Sequence, residues 1–316
     1  MQAIQVKQVV KQYKNGVQAL NGLTLSVEKG EIFSLLGQNG AGKSTLIHIL
    51  TTYLQATSGS IAILGRDLDS NASFVRSQIA CVAQQTSIDT YLSLQENMLL
   101  QSRLYKIPKA EAKIRMEKLM QDFGLTPYCG YPVSSYSGGV KRRADIALHM
   151  MSNPQILFLD EPTVGMDIQS RRAMWDMMRK IRDDFQTTIF LTTHYLEEAD
   201  QLSNTICIMK DGKEVIQGTP LELRSLLHQD RIKISFSKDA DAKKMVHFLQ
   251  EQFPQAELCR QHTALLIDSQ EPQADLESIA EALLKIHAPF QGIEITQPTL
   301  EDVFLRLTQT GKEALI

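Results

Sequence analysis

Residues 37–44 read Gly37-Gln38-Asn39-Gly40-Ala41-Gly42-Lys43-Ser44, and Thr45 follows. Glycines at both ends of such a run, then lysine and a hydroxyl residue, make a loop that cradles phosphate. The glycines let backbone N–H groups turn inward, and the helix that starts here adds positive potential. In this pattern Lys43 reaches the β- and γ-phosphates of a nucleotide, and the Ser44 hydroxyl sits on Mg2+. A second chemical pair, Asp160-Glu161, ends the apolar run Ile156-Leu157-Phe158-Leu159. A strand end beside a phosphate loop is where an Mg2+-organising carboxylate belongs, and Asp160 fits that role. Glu161 is then placed to polarise an attacking water, a service worth roughly 10²- to 10⁴-fold in rate. Ser137-Gly138-Gly139 is a second glycine turn opening a helix, a weak signal of a phosphate site when taken alone. The phosphate loop by itself leaves kinases, GTPases and ATPases open.

These groups need elements to hold them. Glu31–Leu36 is a short apolar run that reads as a buried strand, and Ser44–Leu50 carries apolar residues at helical spacing. Leu23, Leu25 and Val27 alternate with polar residues, as in a half-buried strand. Residues 60–64 and 78–83 add strand candidates. From about residue 90 to 150 the pattern is helical, with Pro108 opening a stretch that carries Ile114, Leu119, Met120 and Phe123. Strand-like runs return at Ile156–Leu159, Thr188–Thr192, Thr205–Met209 and Lys213–Gln217. Alternating strands and helices predict a mostly parallel α/β sheet with a helical insertion. Trp175 and the methionines at 174, 177 and 178 read as helix core.

After about residue 225 a second unit begins. Ile232, Ile234 and Phe236 alternate as a strand, Ala240–Phe253 reads as a helix, and strands are expected near 256–260 and 263–268. Ala274–His287 reads as a helix and Ile293–Ile295 as a strand, giving β-α-β-β-α-β, the ferredoxin-like split pattern. A last helix carries Leu300, Val303, Phe304 and Leu307, with Thr299 and Asp302 spaced as a capping box.

The composition sets outer bounds. The chain has 316 residues, 43% hydrophobic and 22% charged, and carries a net charge of −3. These values are those of an ordinary globular protein of about two domains, without the basic face of a nucleic-acid binder. Lys141-Arg142-Arg143 and Arg171-Arg172 read as solvated helix faces. No apolar run approaches the roughly 18 residues that span a bilayer. The N-terminus lacks a signal-peptide apolar core. Cys81, Cys129, Cys207 and Cys259 lie far apart, which argues for a reducing compartment and against a disulfide frame or zinc site.

In their order along the chain these residues resemble the ATP-binding cassette family, and the resemblance covers essentially the whole chain. Tyr136-Ser137-Gly138-Gly139-Val140-Lys141 is similar to the family signature; Tyr136 and Val140 depart from its commonest form, while Ser-Gly-Gly is intact. Ile79–Gln84 is similar to the strand and glutamine of the Q-loop, with Ala83 where proline is usual and Gln85 leaving the register open by one. Gly165-Met166-Asp167 is similar to the D-loop, and Thr192-Thr193-His194 matches the switch histidine. Tyr13 sits where the family places an aromatic against adenine. The resemblance implies a P-loop cassette over 1–224, helical at about 90–150, and an accessory or regulatory domain over 225–316. It implies ATP and Mg2+ as ligands, with Gln84 sensing Mg2+ and the attacking water and His194 holding the γ-phosphate. It also implies a dimer in which Ser137-Gly138-Gly139 of a second subunit closes over the ATP.

His194-Tyr195-Leu196-Glu197-Glu198-Ala199-Asp200 and Pro298–Leu305 resemble the corresponding stretches of daunorubicin-resistance type exporters. That subfamily implies one cassette per chain and a separately encoded polytopic permease on the inner membrane, with the ATPase on its cytoplasmic face. One intact copy of every motif makes a homodimer self-sufficient, and whether the two chains are identical stays open. An importer ATPase is a close rival, since cassette chemistry is the same in both directions. A soluble cassette ATPase acting on nucleic acid or ribosomes is a more distant one: the chain holds one cassette, no sustained heptad and an acidic pI of 6.2. The transported substrate stays open.

Overall fold

The computed structural model of the chain describes residues 1–227, 230–253, 258–269 and 271–310. The chain divides into two compact units, Met1–Pro220 and a second that begins at Leu221.

The first unit holds two sheets. The larger has six strands in the spatial order Lys213–Gly218, Thr205–Lys210, Ile32–Leu36, Thr188–Thr193, Ile156–Asp160, Ile79–Val82. The last five run parallel to one another, and Lys213–Gly218 pairs antiparallel at one edge. Every residue of Ile32–Leu36 and Thr188–Thr193 is buried. Strand Ile156–Asp160 shows the reason: Ile156 and Phe158 join one core, while Leu157 and Leu159 join another on the opposite face. A parallel sheet covered on both faces reads as a continuous apolar run, which is how these strands were legible. Phe190 stacks on Phe33 with ring centroids 5.1 Å apart and lies 5.5 Å from Phe158, locking three neighbouring strands.

The smaller sheet is antiparallel, in the order Gln18–Glu28, Gln2–Gln12, Ser58–Ile63, Arg66–Asp67. Its Ile4, Val6, Leu20 and Leu23 share a core with Phe33 and Leu35 of the parallel sheet and with Leu46, Ile47 and Leu50 of helix Lys43–Leu50. On the opposite face of the parallel sheet lie helices Gly138–Met150 and Ile168–Phe185, contributing Ala144, Ile146, Met174 and Trp175.

The helical region contains Leu94–Leu104, Lys109–Asp122 and Gly138–Met150. Pro108 caps the second of these. One expectation fails here: Ile114 is 69% exposed, and the buried side of Lys109–Asp122 is Ala112, Met116, Leu119 and Met120. Ile114 sits two residues from both Ala112 and Met116, so helical geometry turns it to the other face.

The second unit is a four-stranded antiparallel sheet in the order Leu258–Gln261, Ala264–Ser269, Asp230–Phe236, Phe290–Thr296. Helices Asp239–Gln252 and Pro272–Lys285 supply Leu249, Ile279 and Leu283 to its core, against Ile232, Ile234, Leu265 and Ile267. The element order is β-α-β-β-α-β. Of the strand expected near 256–260, residues 256 and 257 lie outside the described residues. Helix Leu300–Thr310 follows, with Thr299 and Asp302 bonded reciprocally at its start.

Candidate active site

Strand Ile32–Leu36 delivers the chain to Gly37, and the loop ends where helix Lys43–Leu50 begins. The glycines are physically required. A Cβ on Gly37 would lie 2.6 Å from the Met209 carbonyl oxygen, and one on Gly42 would lie 2.5 Å from that of Ala19. Gly40 and Gly42 also hold φ of +86° and +104°, a region open to glycine. Gly42 caps the helix without a side-chain hydrogen bond, and no acidic residue occupies the first turn. The first N–H groups are therefore left for an anion.

Lys43 is 5% exposed; its Nζ donates to Gly37 O at 2.8 Å and Gln38 O at 3.2 Å. Burial pulls its pKa down, and the carboxylates of Glu161 and Asp160 oppose that pull. Ser44 is exposed on the same turn, and the Tyr13 hydroxyl lies 3.3 Å from Thr45 Oγ1.

The carboxylates arrive from two strands away. Strand Ile156–Asp160 pairs with Thr188–Thr193 so that Asp160 faces Thr192. Thr192 Oγ1 donates to Asp160 Oδ1 at 2.6 Å and accepts from the Glu161 N–H at 3.1 Å. Glu161 sits at φ +44°, a conformation that costs a non-glycine residue about 1–3 kcal/mol and concentrates at functional sites. Its Oε1 lies 3.3 Å from His194 Nδ1 and 3.7 Å from Lys43 Nζ. Tyr13, the loop, Asp160, Glu161 and His194 are thus one constellation, assembled at the C-terminal ends of parallel strands where α/β sheets bind ligands.

Ser137, Gly138, Gly139 and Asp167 form a separate group. Ser137 caps helix Gly138–Met150, accepting from Val140 N, and Asp167 caps Ile168–Phe185, accepting from Ser170 N at 2.9 Å. The Ser170 N–H and hydroxyl hold the Asp167 carboxyl below its ordinary range. A Cβ on Gly139 would lie 2.5 Å from Ser170 Oγ, so the two helix starts pack closely. Ser137 and Gly138 are exposed, and among the described residues no hydrogen bond joins this turn to the phosphate loop. Gln84 is exposed just past the edge strand Ile79–Val82. At the atypical signature position, Tyr136 donates its hydroxyl to Tyr128 O at 2.6 Å.

Three participants went unread in the sequence. In the sequence Thr192 is only a neighbour of His194; the strand register gives its contact. Arg142, expected on a solvated face, is 5% exposed and bonded to backbone carbonyls. Glu198 is fully buried and accepts from Thr163 Oγ1 at 2.7 Å and Trp175 Nε1 at 3.2 Å. Trp175 and the neighbouring methionines are core, as expected. Cys81, Cys129 and Cys207 are free, and no cluster of three or more metal-ligating residues occurs among the described residues.

The model of the family described as ABC transporter matches residues 20–164. The daunorubicin/doxorubicin resistance ATP-binding protein DrrA of Streptomyces peucetius is 36% identical across 97% of this chain and 92% of its own length. The Nod factor export ATP-binding protein I of Burkholderia thailandensis is 33% identical across 98% of this chain and 97% of its own. Among solved structures, a dimeric ATP-binding cassette in a post-hydrolysis state with ADP and Pi is 25% identical, with a TM-score of 0.60 over 68% of this chain and 98% of that one. No helix among the described residues is long and apolar enough to cross a membrane.

Proposed function

The chain belongs to the ATP-binding cassette transporter family, and on that premise we propose that it is the ATPase subunit of an exporter, driving a separately encoded membrane-spanning permease. It binds ATP and hydrolyses it; direction, partner and residue roles are our reading. The observation that carries the assignment is the meeting of Glu161, His194 and Lys43 within hydrogen-bond and ion-pair distance at the phosphate loop.

In this reading the N–H groups of Gly37–Thr45 surround the β- and γ-phosphates of ATP. Lys43 exchanges its two carbonyl partners for phosphate oxygens. Tyr13 stacks on adenine. The Ser44 hydroxyl and the Asp160 carboxylate form an all-oxygen donor set suited to Mg2+, with Gln84 adding a third oxygen. Held there, Mg2+ would neutralise charge on the phosphates. Glu161 accepts the proton of the attacking water, and His194, joined to Glu161, orients the γ-phosphate. Ser137, Gly138 and Gly139 act on ATP held by a second copy of the chain. The exposure of Ser137 and Gly138, and the absence among the described residues of any hydrogen bond from this turn to its own phosphate loop, support that reading. ATP then joins two subunits, and hydrolysis releases them, a two-state switch biased by ligand. Asp167 lies beside that turn and is exposed, and on this reading it meets the same partner.

Export is favoured over import by the names of the relatives, drug resistance and Nod factor export, aligned over nearly the full chain. The permease would hold the chain on the cytoplasmic face of the membrane. Glu161→Gln is expected to keep ATP binding and dimerise more firmly while turnover falls roughly 10²- to 10⁴-fold. Captured from solubilised membranes with ATP, the tagged variant should bring down a polytopic membrane protein. Recovery of only soluble proteins, ribosomes or nucleic acid would overturn the exporter reading. Near-normal turnover would remove Glu161 from the base role.

A further inference from the structure

Arg142 lies in the first turns of helix Gly138–Met150, behind the Ser137-Gly138-Gly139 turn. Its guanidinium is buried, and it reaches two other segments of the cassette at once, residues 83–84 and 160–162. Nη2 donates to Asp160 O at 3.0 Å and Nε points to Pro162 O at 3.4 Å. Nη1 donates to Ala83 O and lies 3.5 Å from Gln84 O. Asp145, itself 1% exposed, balances the charge at 3.7 Å and accepts from the N–H and hydroxyl of Ser87 at 3.3 and 3.1 Å.

The carbonyls of Asp160 and Pro162 flank Glu161. The Glu161 N–H is held from the other side by Thr192, through O at 3.2 Å and Oγ1 at 3.1 Å. The strained Glu161 backbone, at φ +44°, is therefore gripped on both sides, and one of the grips also holds the Gln84 loop. A planar fork of fixed geometry can impose a distance between two carbonyls that a flexible ammonium cannot. Burying a guanidinium is costly, and here it is offset by carbonyls from two segments and one carboxylate.

We propose that Arg142 is a positioning residue for ATP hydrolysis: it sets the Glu161 carboxylate and the Gln84 loop in one register with the signature helix. Closure of Ser137-Gly138-Gly139 onto the ATP of a second subunit then moves a helix that already grips the base and the Gln84 loop of its own subunit. The proposal rests on the reading of Glu161 as the group that activates water.

The test uses the full-length chain carrying Arg142→Lys or Arg142→Met, each alone and combined with Glu161→Gln. ATP affinity, KM and kcat are measured for each. A misplacement of about 1 Å costs on the order of 10²-fold, so kcat should fall at least about tenfold in Arg142→Lys, with KM and ATP affinity within about threefold of the parent. Because Arg142 acts through Glu161, adding Arg142→Lys to Glu161→Gln should change residual turnover by less than about twofold. Multiplying losses in the double variant would overturn the proposal while leaving the role of Glu161 intact. Parental turnover in Arg142→Lys would also overturn it. Loss of ATP binding together with turnover in both single variants would assign Arg142 to the stability of the fold and overturn it too. Parental turnover in Glu161→Gln alone would instead remove the reading on which the proposal stands.

Discussion

Lys43 is bonded to two carbonyls of its own loop and sits 3.7 Å from Glu161. Both sets of contacts are weaker partners than the oxygens of a triphosphate, so the side chain is preorganised for an anion. Lys43→Ala should lower ATP affinity by one to two orders of magnitude, the worth of about 1.5–3 kcal/mol for a charged hydrogen bond. Unchanged affinity by equilibrium titration would count against the loop as the nucleotide site. Glu198 makes a different prediction. Burial raises its carboxyl above the ordinary glutamate range, against the hydrogen bonds from Thr193, Thr163 and Trp175. The folded chain then holds that proton more tightly than the unfolded chain. The stability this contributes is full below the unfolded pKa and is lost as pH rises through the folded one. Glu198→Gln keeps an oxygen for the hydroxyl and indole donors and removes the buried charge. Its urea midpoint should therefore gain on the parent as pH rises from acid to neutral; a difference constant with pH would contradict the buried-charge account.

At the scale of elements, the close approach of two helix starts carries the geometry of the signature turn. Helix Gly138–Met150 and helix Ile168–Phe185 meet where Gly139 touches Ser170, whose hydroxyl donates to the Asp167 cap at 2.7 Å. The clash that a methyl group would create includes Ser170 Cβ at 2.7 Å, which no rotation of the side chain relieves. Gly139→Ala should cost about 1–3 kcal/mol through overpacking. It should also lower ATP turnover more than ATP binding, because the turn that moves is the one assigned to the second subunit. Equal stability in urea would show that the helix can shift without penalty. Helix Leu94–Leu104 shows a legible device that went unread: Ser93 and Glu96 form a reciprocal capping box, spelled in the sequence as Ser-x-x-Glu.

At the scale of the whole molecule, one chain supplies one phosphate loop and one signature turn, and among the described residues no hydrogen bond joins them. A complete site on this reading needs two chains, which makes activity depend on protein concentration. The second unit has its own core of Ile232, Ile234, Leu265 and Leu283, and we propose that it takes an accessory part in dimerisation or regulation. Removing residues 226–316 should leave ATP binding in place while weakening the ATP-dependent dimer and abolishing transport. Sedimentation with and without ATP reads the first effect. An unchanged dimer and intact transport would remove the assignment.

The phosphate loop, the carboxylate pair and the buried strands were legible in the residues themselves, because their chemistry is local. A glycine loop needs only its neighbours to turn, and a doubly covered parallel strand shows itself as an unbroken apolar run. The order of the second unit was readable for the same reason, from period-2 and helical runs in succession. Other features depended on which segments lie side by side. Nothing in a Lys-Arg-Arg run separates Arg142, buried against the carbonyls of residues 83, 84, 160 and 162, from its half-buried neighbours Lys141 and Arg143. The contact of Thr192 with both Asp160 and Glu161 follows from strand register, and Ile114 faces outward because it lies two residues from Ala112 and Met116, which took the core side of the helix. The separation of the antiparallel sheet from the parallel one is likewise a matter of long-range pairing, as Val6 with Leu25 and Ile4 with Ile63 show. Local spacing therefore determined that the chain holds the phosphates of a nucleotide, and the family resemblance carried by the motifs in their order pointed to ATP and its hydrolysis. Tertiary packing decided which side chains hold the reacting groups in place, since buried polar groups take partners from whichever backbone segment the fold brings near.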